Sequence, residues 1–189
     1  MNFRKVIHIC GVFIPLIAII FGKTQAIALI VFGFIFYLAV EALKPKLNKN
    51  FLSLVYRENE LRGFSIEPFS YIISVLSLLF LSYYIDEKVC FASIAILAAG
   101  DGFAGVIGRR YGKHRFSFNR NKSWEGTLSG FVAASTAGFY YAGPIAIIGA
   151  VFGMVAGALY KHDNIGVPFA AFISMFLASI IISLILYQA

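Results

Sequence analysis

Charged residues are scarce in this sequence. Asp, Glu, Lys and Arg make up 13% of its 189 residues, against about 25% in an ordinary soluble domain, while 60% are hydrophobic and the mean hydropathy is +0.83. That shortage argues against a water-soluble fold. Long polar connections are missing too: only 44–67 and 109–125 exceed a few residues, so no separate soluble domain fits and residues 1–189 read as one domain. Cysteine is limited to Cys10 and Cys90, each inside an apolar segment, which suits buried small hydrophobes better than a disulfide or a metal centre. No internal repeat or low-complexity tract is evident. The basic start Met-Asn-Phe-Arg-Lys precedes an apolar run, but no small-residue cleavage pattern follows before Lys23, so this run is read as a first span and not as a signal peptide.

What the sequence has in abundance is apolar runs. Seven windows, 6–21, 24–43, 68–85, 88–108, 126–142, 144–160 and 166–187, meet or approach the roughly 20 residues a bilayer-spanning helix needs. The expected architecture is an all-α, multi-pass integral membrane protein, a bundle of about seven transmembrane helices, in the cell membrane if the source is prokaryotic. The net charge of +7 could suit nucleic acid, but its distribution argues for a bilayer and against that partner. With the amino terminus cytosolic, every one of the 16 basic residues except Lys23 and Lys88 falls inside, the asymmetry that orients membrane proteins. The acids divide the same way: Glu41, Glu58, Glu60, Glu67, Asp101, Glu125 and Asp163 lie on or near the inner side, leaving Asp86 and Glu87 in an outer turn. An enzyme joining a water-soluble reactant to a lipid needs one wet, charged face beside apolar walls, so the active site is expected at the cytosolic face.

Asp101 is the most informative residue, because it lies within the apolar run from Val89 to Gly108, about 10 Å short of its inner end by helical rise. An acid there costs roughly 2.5–3.5 kcal/mol to insert and calls for a partner; a metal ion is the natural one. Gly100, Gly102, Gly105 and Gly108 surround it, permitting close helix contact or a broken helix, while a packing face with a buried base beside Asp101 is the structural alternative. Six cations then fall within the 14 residues 109–122, a density that suits a polyphosphate or, alternatively, anionic headgroups. Ser123 stands where an N-cap belongs, with Glu125 in the first turn of the next helix; a helix amino terminus beside Lys122 is also a phosphate seat. Asp163 and Asn164 offer the hard oxygen ligands magnesium takes, or an ordinary cap before a helix opened by Pro168. Arg4, His8 and Gly11 share one helical face. The stretch Arg57 to Arg62 reads as a solvated face held by pairs such as Glu58 and Arg62.

Together these pieces resemble the family of CTP-dependent polyprenol kinases, which includes dolichol kinase, phytol kinase and yeast-type diacylglycerol kinase. The resemblance rests on Arg4-Lys5 with His8 and Gly11, on Gly100-Asp101 through Gly108-Arg109-Arg110-Tyr111-Gly112-Lys113-His114, on Lys122-Ser123 with Glu125-Gly126, and on Asp163-Asn164 with Pro168. It departs where members often carry a second acid and a Thr, places here held by His162 and Gly166. The central block is also similar to phosphatidate cytidylyltransferases, but their His-Gly-Gly and Asp-Arg-x-Asp ending is absent.

The resemblance implies transfer of the γ-phosphoryl group of CTP to a membrane lipid alcohol. Asp101 and Asp163 would hold Mg2+; Lys113, Arg115 and Lys122 would clamp phosphate oxygens, with Arg4, Lys5, Arg109, Ser123 and Asn164 completing the nucleotide site. Phosphoryl transfer needs mainly positioning and charge neutralisation; His8 or Glu125 would orient the alcohol or accept its proton. The expected partners are nucleotide and lipid alcohol, with a homodimer left open. Two rivals stand beside this reading: CTP-dependent cytidylyl transfer to a phospholipid, and an ion-coupled transporter with Asp101 on a Gly-interrupted helix.

Overall fold

The computed structural model describes residues 3–48, 52, 56, 60–61, 63–160 and 163–188, with the side chains of Phe3, Arg4 and Lys5 outside that set. Its helices are α1 (Phe3–Cys10), α2 (Phe13–Phe21), α3 (Lys23–Leu43) continued by a 3-10 turn at Lys44–Lys46, α4 (Ile66–Leu81), α5 (Glu87–Tyr111), α6 (Trp124–Ala142), α7 (Ile145–Leu159) and α8 (Asp163–Gln188). Among the described residues the one strand-like pairing is an isolated bridge between Arg115 and Ser123. Each of the seven windows carries helix. Among the described residues three stretches, Lys23–Lys46, Glu87–Tyr111 and Asp163–Gln188, are long and apolar enough to cross a membrane, whereas α4 and α7 have 16 and 15 residues.

The first window holds two helices, broken at Gly11-Val12. A break in apolar surroundings frees carbonyls that must find donors, each costing several kcal/mol if left bare. Tyrosines from distant helices supply them: Tyr71 Oη donates to the His8 carbonyl at 3.2 Å and Tyr141 Oη to that of Val12 at 2.9 Å. A Cβ on Gly11 would lie 1.8 Å from Tyr71 Oη, so glycine here leaves room for the donor. Cys10, expected inside, is exposed, because the end of α1 turns it outward; Cys90 is buried.

Helix α5 is the axis of the fold. In its most apolar window 78% of the residues are buried, against 11% for α3 and 17% for α8. It runs unbroken through Gly100, Asp101 and Gly102, which removes the interrupted helix on which the transporter reading depended. Its small residues serve close packing instead. A Cβ on Gly130 of α6 would meet the Gly100 carbonyl at 2.6 Å and Ala104 Cβ at 2.8 Å, and one on Gly126 would meet the Ala104 carbonyl at 2.8 Å. Such backbone approach supplies van der Waals contact between the two helices.

Helix α8 begins at Asp163, so Pro168 sits inside it and does not open it. At the end of the molecule away from Asp101, Lys23 Nζ donates to the Ser82 carbonyl at 2.7 Å and pairs with Glu87 at 2.7 Å. Asp86 caps α5 by accepting from the Lys88 amide at 2.9 Å.

Candidate active site

The connection from α5 to α6 is a folded hairpin. The Trp124 amide donates to the His114 carbonyl at 3.0 Å, and the Phe116 amide to that of Lys122 at 3.2 Å. Phe116 is buried between the rings of Phe118 and Trp124, with centroids 5.0 and 4.7 Å away. Asn119 Nδ2 ties the tip to the Ala158 carbonyl of α7 at 2.9 Å, and Arg115 ties its base to the Gly108 carbonyl at 3.2 Å. Ser123 is the N-cap of α6, its Oγ accepting from the Gly126 amide at 3.1 Å. This framework turns Lys122 back over the end of α5.

Lys122 Nζ lies 2.5 Å from Asp163 Oδ2 and 3.5 Å from Asp101 Oδ1. On the other side of Asp101, its Oδ2 faces His8 Nε2 at 3.5 Å, and the His8 ring rests on Tyr71 with centroids 4.2 Å apart. Residues from α1, α5, the hairpin and α8, far apart in sequence, thus meet at one buried acid. Burial alone would lower the pKa of Lys122, but the carboxylates of Asp163 and Asp101 outweigh it and hold the ammonium above its ordinary value. The group lines a polar cavity of about 1010 Å³.

Arg109, Arg115, Ser123 and Asn164 also line this cavity, whereas Lys113 does not and is exposed. Glu125 is not brought to it. Its carboxylate accepts from the His114 amide at 3.1 Å and meets His114 Nδ1 at 2.6 Å. Backbone donors at the start of α6, then His114, hold its pKa down to about 2. Glu125 instead lines an apolar groove of about 900 Å³ walled by Ile9, Phe13, Phe103, Leu128 and Val132. The Glu58–Arg62 pair and the side chains of Arg4 and Lys5 fall outside the described residues.

Three charged cavity residues escaped the sequence reading as site groups. Arg120 lines the cavity with the other cations, and nothing in its spacing distinguished it from Lys113. Glu60, buried, and Glu67 line it as well, though the loop that carries Glu60 read as a solvated face. Glu67 Oε2 and its carbonyl accept from Asn164 Nδ2 at 3.1 and 2.8 Å, leaving the buried Asn164 Oδ1 without a hydrogen-bond partner.

Among the described residues no group of three or more His, Cys, Asp and Glu is arranged to hold a metal ion. Magnesium asks for less: one or two carboxylates beside waters and substrate phosphates. Asp101 and Asp163, sharing one ammonium, and the orphaned Oδ1 of Asn164, which follows Asp163 in sequence, are hard oxygens of the kind such an ion takes.

No family model matches the chain, and no solved structure matches it. Curated proteins do. The protein named Probable phytol kinase, chloroplastic, of Triticum aestivum is 32% identical over 144 residues, covering 69% of this chain and 45% of its own length. Phytol kinase 1, chloroplastic, of Arabidopsis thaliana is 26% identical over 201 residues, covering 93% of this chain and 66% of itself. The chain is a homologue of proteins named phytol kinase and farnesol kinase. The farnesol kinase, chloroplastic, of Arabidopsis thaliana is 34% identical over 79 residues, 40% of this chain and 25% of that protein. The chain spans less than half the length of the first of these relatives.

Proposed function

We propose that this chain is a CTP-dependent kinase that transfers the γ-phosphoryl group to the hydroxyl of a membrane lipid alcohol of the polyprenol, dolichol or phytol type, giving a lipid monophosphate. The observation that carries the proposal is the meeting of Asp101, Lys122 and Asp163 in a polar cavity ringed by Arg109, Arg115 and Arg120, within a bundle whose outer helices are apolar enough for a bilayer. The relatives' names supply the acceptor class, phytol and farnesol. CTP as donor rests on the resemblance of the block from Gly100 to Gly126.

In this reading the seven apolar windows cross the membrane with the amino terminus cytosolic, and the cavity opens at the cytosolic face. Arg109, Arg115, Arg120 and Lys122 hold phosphate oxygens through charge-assisted hydrogen bonds, with the capped start of α6 as a further anion seat. Mg2+, held by Asp101, Asp163 and Asn164, supplies neutralisation of triphosphate charge when bound. His8 lines the cavity beside Asp101 and is the group within reach to orient the alcohol or accept its proton. Glu125, facing the other way, is left with the ordering of the hairpin. Cytidylyl transfer remains the second reading, because the central block is common to both enzyme types.

The test is purified protein in detergent with CTP, ATP, GTP and UTP against farnesol, phytol, a dolichol and diacylglycerol. Phosphorylation of an isoprenoid alcohol with CTP as preferred donor is expected. A preference for ATP, or turnover of diacylglycerol alone, would contradict the donor or the acceptor assignment.

A further inference from the structure

We propose that Lys122 and a divalent cation are alternative occupants of one seat between Asp101 and Asp163, so that arrival of the metal releases the lysine into the cavity. In placing phosphate as the released lysine's next partner, this rests on the kinase reading.

Two carboxylates from different helices converge on one ammonium, Asp163 Oδ2 at 2.5 Å and Asp101 Oδ1 at 3.5 Å. The ammonium spans both acids with a single charge, and a divalent cation seated between them would bring twice that charge. Asn164 Oδ1, buried and without a hydrogen-bond partner, is an oxygen that the lysine leaves unused and a hard cation would take.

The mechanics favour exchange. The Lys122 side chain is 23% exposed, against 7% for Asp101 and 14% for Asp163, so the lysine is the outermost of the three. Its backbone is held at both ends, the amide donating to the Asn119 carbonyl at 3.0 Å and the carbonyl accepting from Phe116 at 3.2 Å. The flexible four-carbon stem can therefore swing while the hairpin stays in place. The cavity it swings into carries Arg109, Arg115 and Arg120, and a fourth cation there completes a ring suited to a polyanion.

Competition for one seat makes an unusual demand: removing the lysine must strengthen metal binding. Mn2+ titrated into detergent-purified protein without nucleotide or lipid, and read by electron paramagnetic resonance, should bind Lys122→Met about tenfold or more tightly than the unmodified chain, since a buried carboxylate pair stripped of its counter-ion is strongly destabilised. Asp101→Asn in the same background should abolish the gain. Equal or weaker binding by Lys122→Met overturns the proposal.

A second measurement needs no variant. Acylation of Lys122 by an amine-reactive probe, followed by mass spectrometry of the unmodified chain, should accelerate on addition of Mg2+ and not of Na+ at matched ionic strength. An unchanged rate also overturns the proposal. Neither measurement involves turnover, so a chain that exchanges metal for lysine but phosphorylates nothing retires the kinase reading alone, and a working kinase without the exchange retires this inference alone.

Discussion

Lys44 and Lys122 are both drawn in against carboxylates, but their surroundings differ. Lys44 Nζ donates to Glu41 Oε1 at 2.6 Å, the Glu60 and Gly63 carbonyls at 2.8 and 2.9 Å, and Ser65 Oγ at 2.9 Å. It also lies 4.1 Å from the Tyr56 ring centroid. Its acceptors are mostly neutral and, Glu41 aside, come from one connection, so the ammonium ties Glu60, Gly63 and Ser65 to the end of α3 and is itself shut in. Lys122 has two acids from two helices and an open cavity beside it. A buried lysine whose acceptors are mostly neutral and enclose it is a fastener; one held only by carboxylates at a cavity wall is available for exchange. The difference separates groups that build the site from groups that would act in it.

The comparison can be broken most severely at Asp101. Asp101→Asn keeps the volume and removes the charge, so turnover should fall about 10²–10³-fold, as for loss of one preorganised electrostatic group. Circular dichroism and expression should stay near normal. Retained turnover would mean that the acid only packs. Lys44→Met should act in the opposite sense, lowering stability to thermal unfolding in detergent by about 3 kcal/mol because Glu41 loses its buried partner. The fraction that remains folded should keep its specific activity.

Finer contrasts follow within the basic hairpin. Lys122→Gln should reduce turnover by roughly tenfold to a hundredfold with little dependence on salt, since a charge-assisted contact to phosphate depends on position. Lys113→Gln, at an exposed position off the cavity, should cost less than about twofold, and that loss should vanish at high ionic strength. Equal, salt-sensitive losses at the two positions would recast the hairpin as a membrane-surface anchor.

The positions of the helices were legible in the apolar runs, and so was the concentration of chemistry around Asp101, because an acid and basic loops stand out against so little charge. Which helix lies inside was not. Hydropathy runs against burial here: α3 and α8 reach 2.4 and 2.6 with 11% and 17% buried, while α5 reaches 1.8 with 78% buried. Leu, Ile and Phe on an outward face raise hydropathy without burial, whereas a central helix can carry Gly, Ser and Asp. The same ambiguity hid the outward turn of Cys10. The break at Gly11-Val12 was illegible because its donors, Tyr71 and Tyr141, come from remote helices. The Glu67–Asn164 contact joins residues 97 apart, and no local pattern announces it. For Glu125, a first-turn acid reads alike whether it serves the helix dipole or a substrate; its partner His114 decides where it points.

The central claim, phosphoryl transfer at the Asp101 end of the bundle, is tested most directly with CTP labelled separately at the α and γ phosphorus, incubated with farnesol or phytol and the detergent-purified chain. The account predicts γ-label in a lipid monophosphate and α-label in CDP, both lost in Asp101→Asn. Appearance of the α-label in the lipid product with release of pyrophosphate, or undiminished γ-transfer by Asp101→Asn, would contradict it.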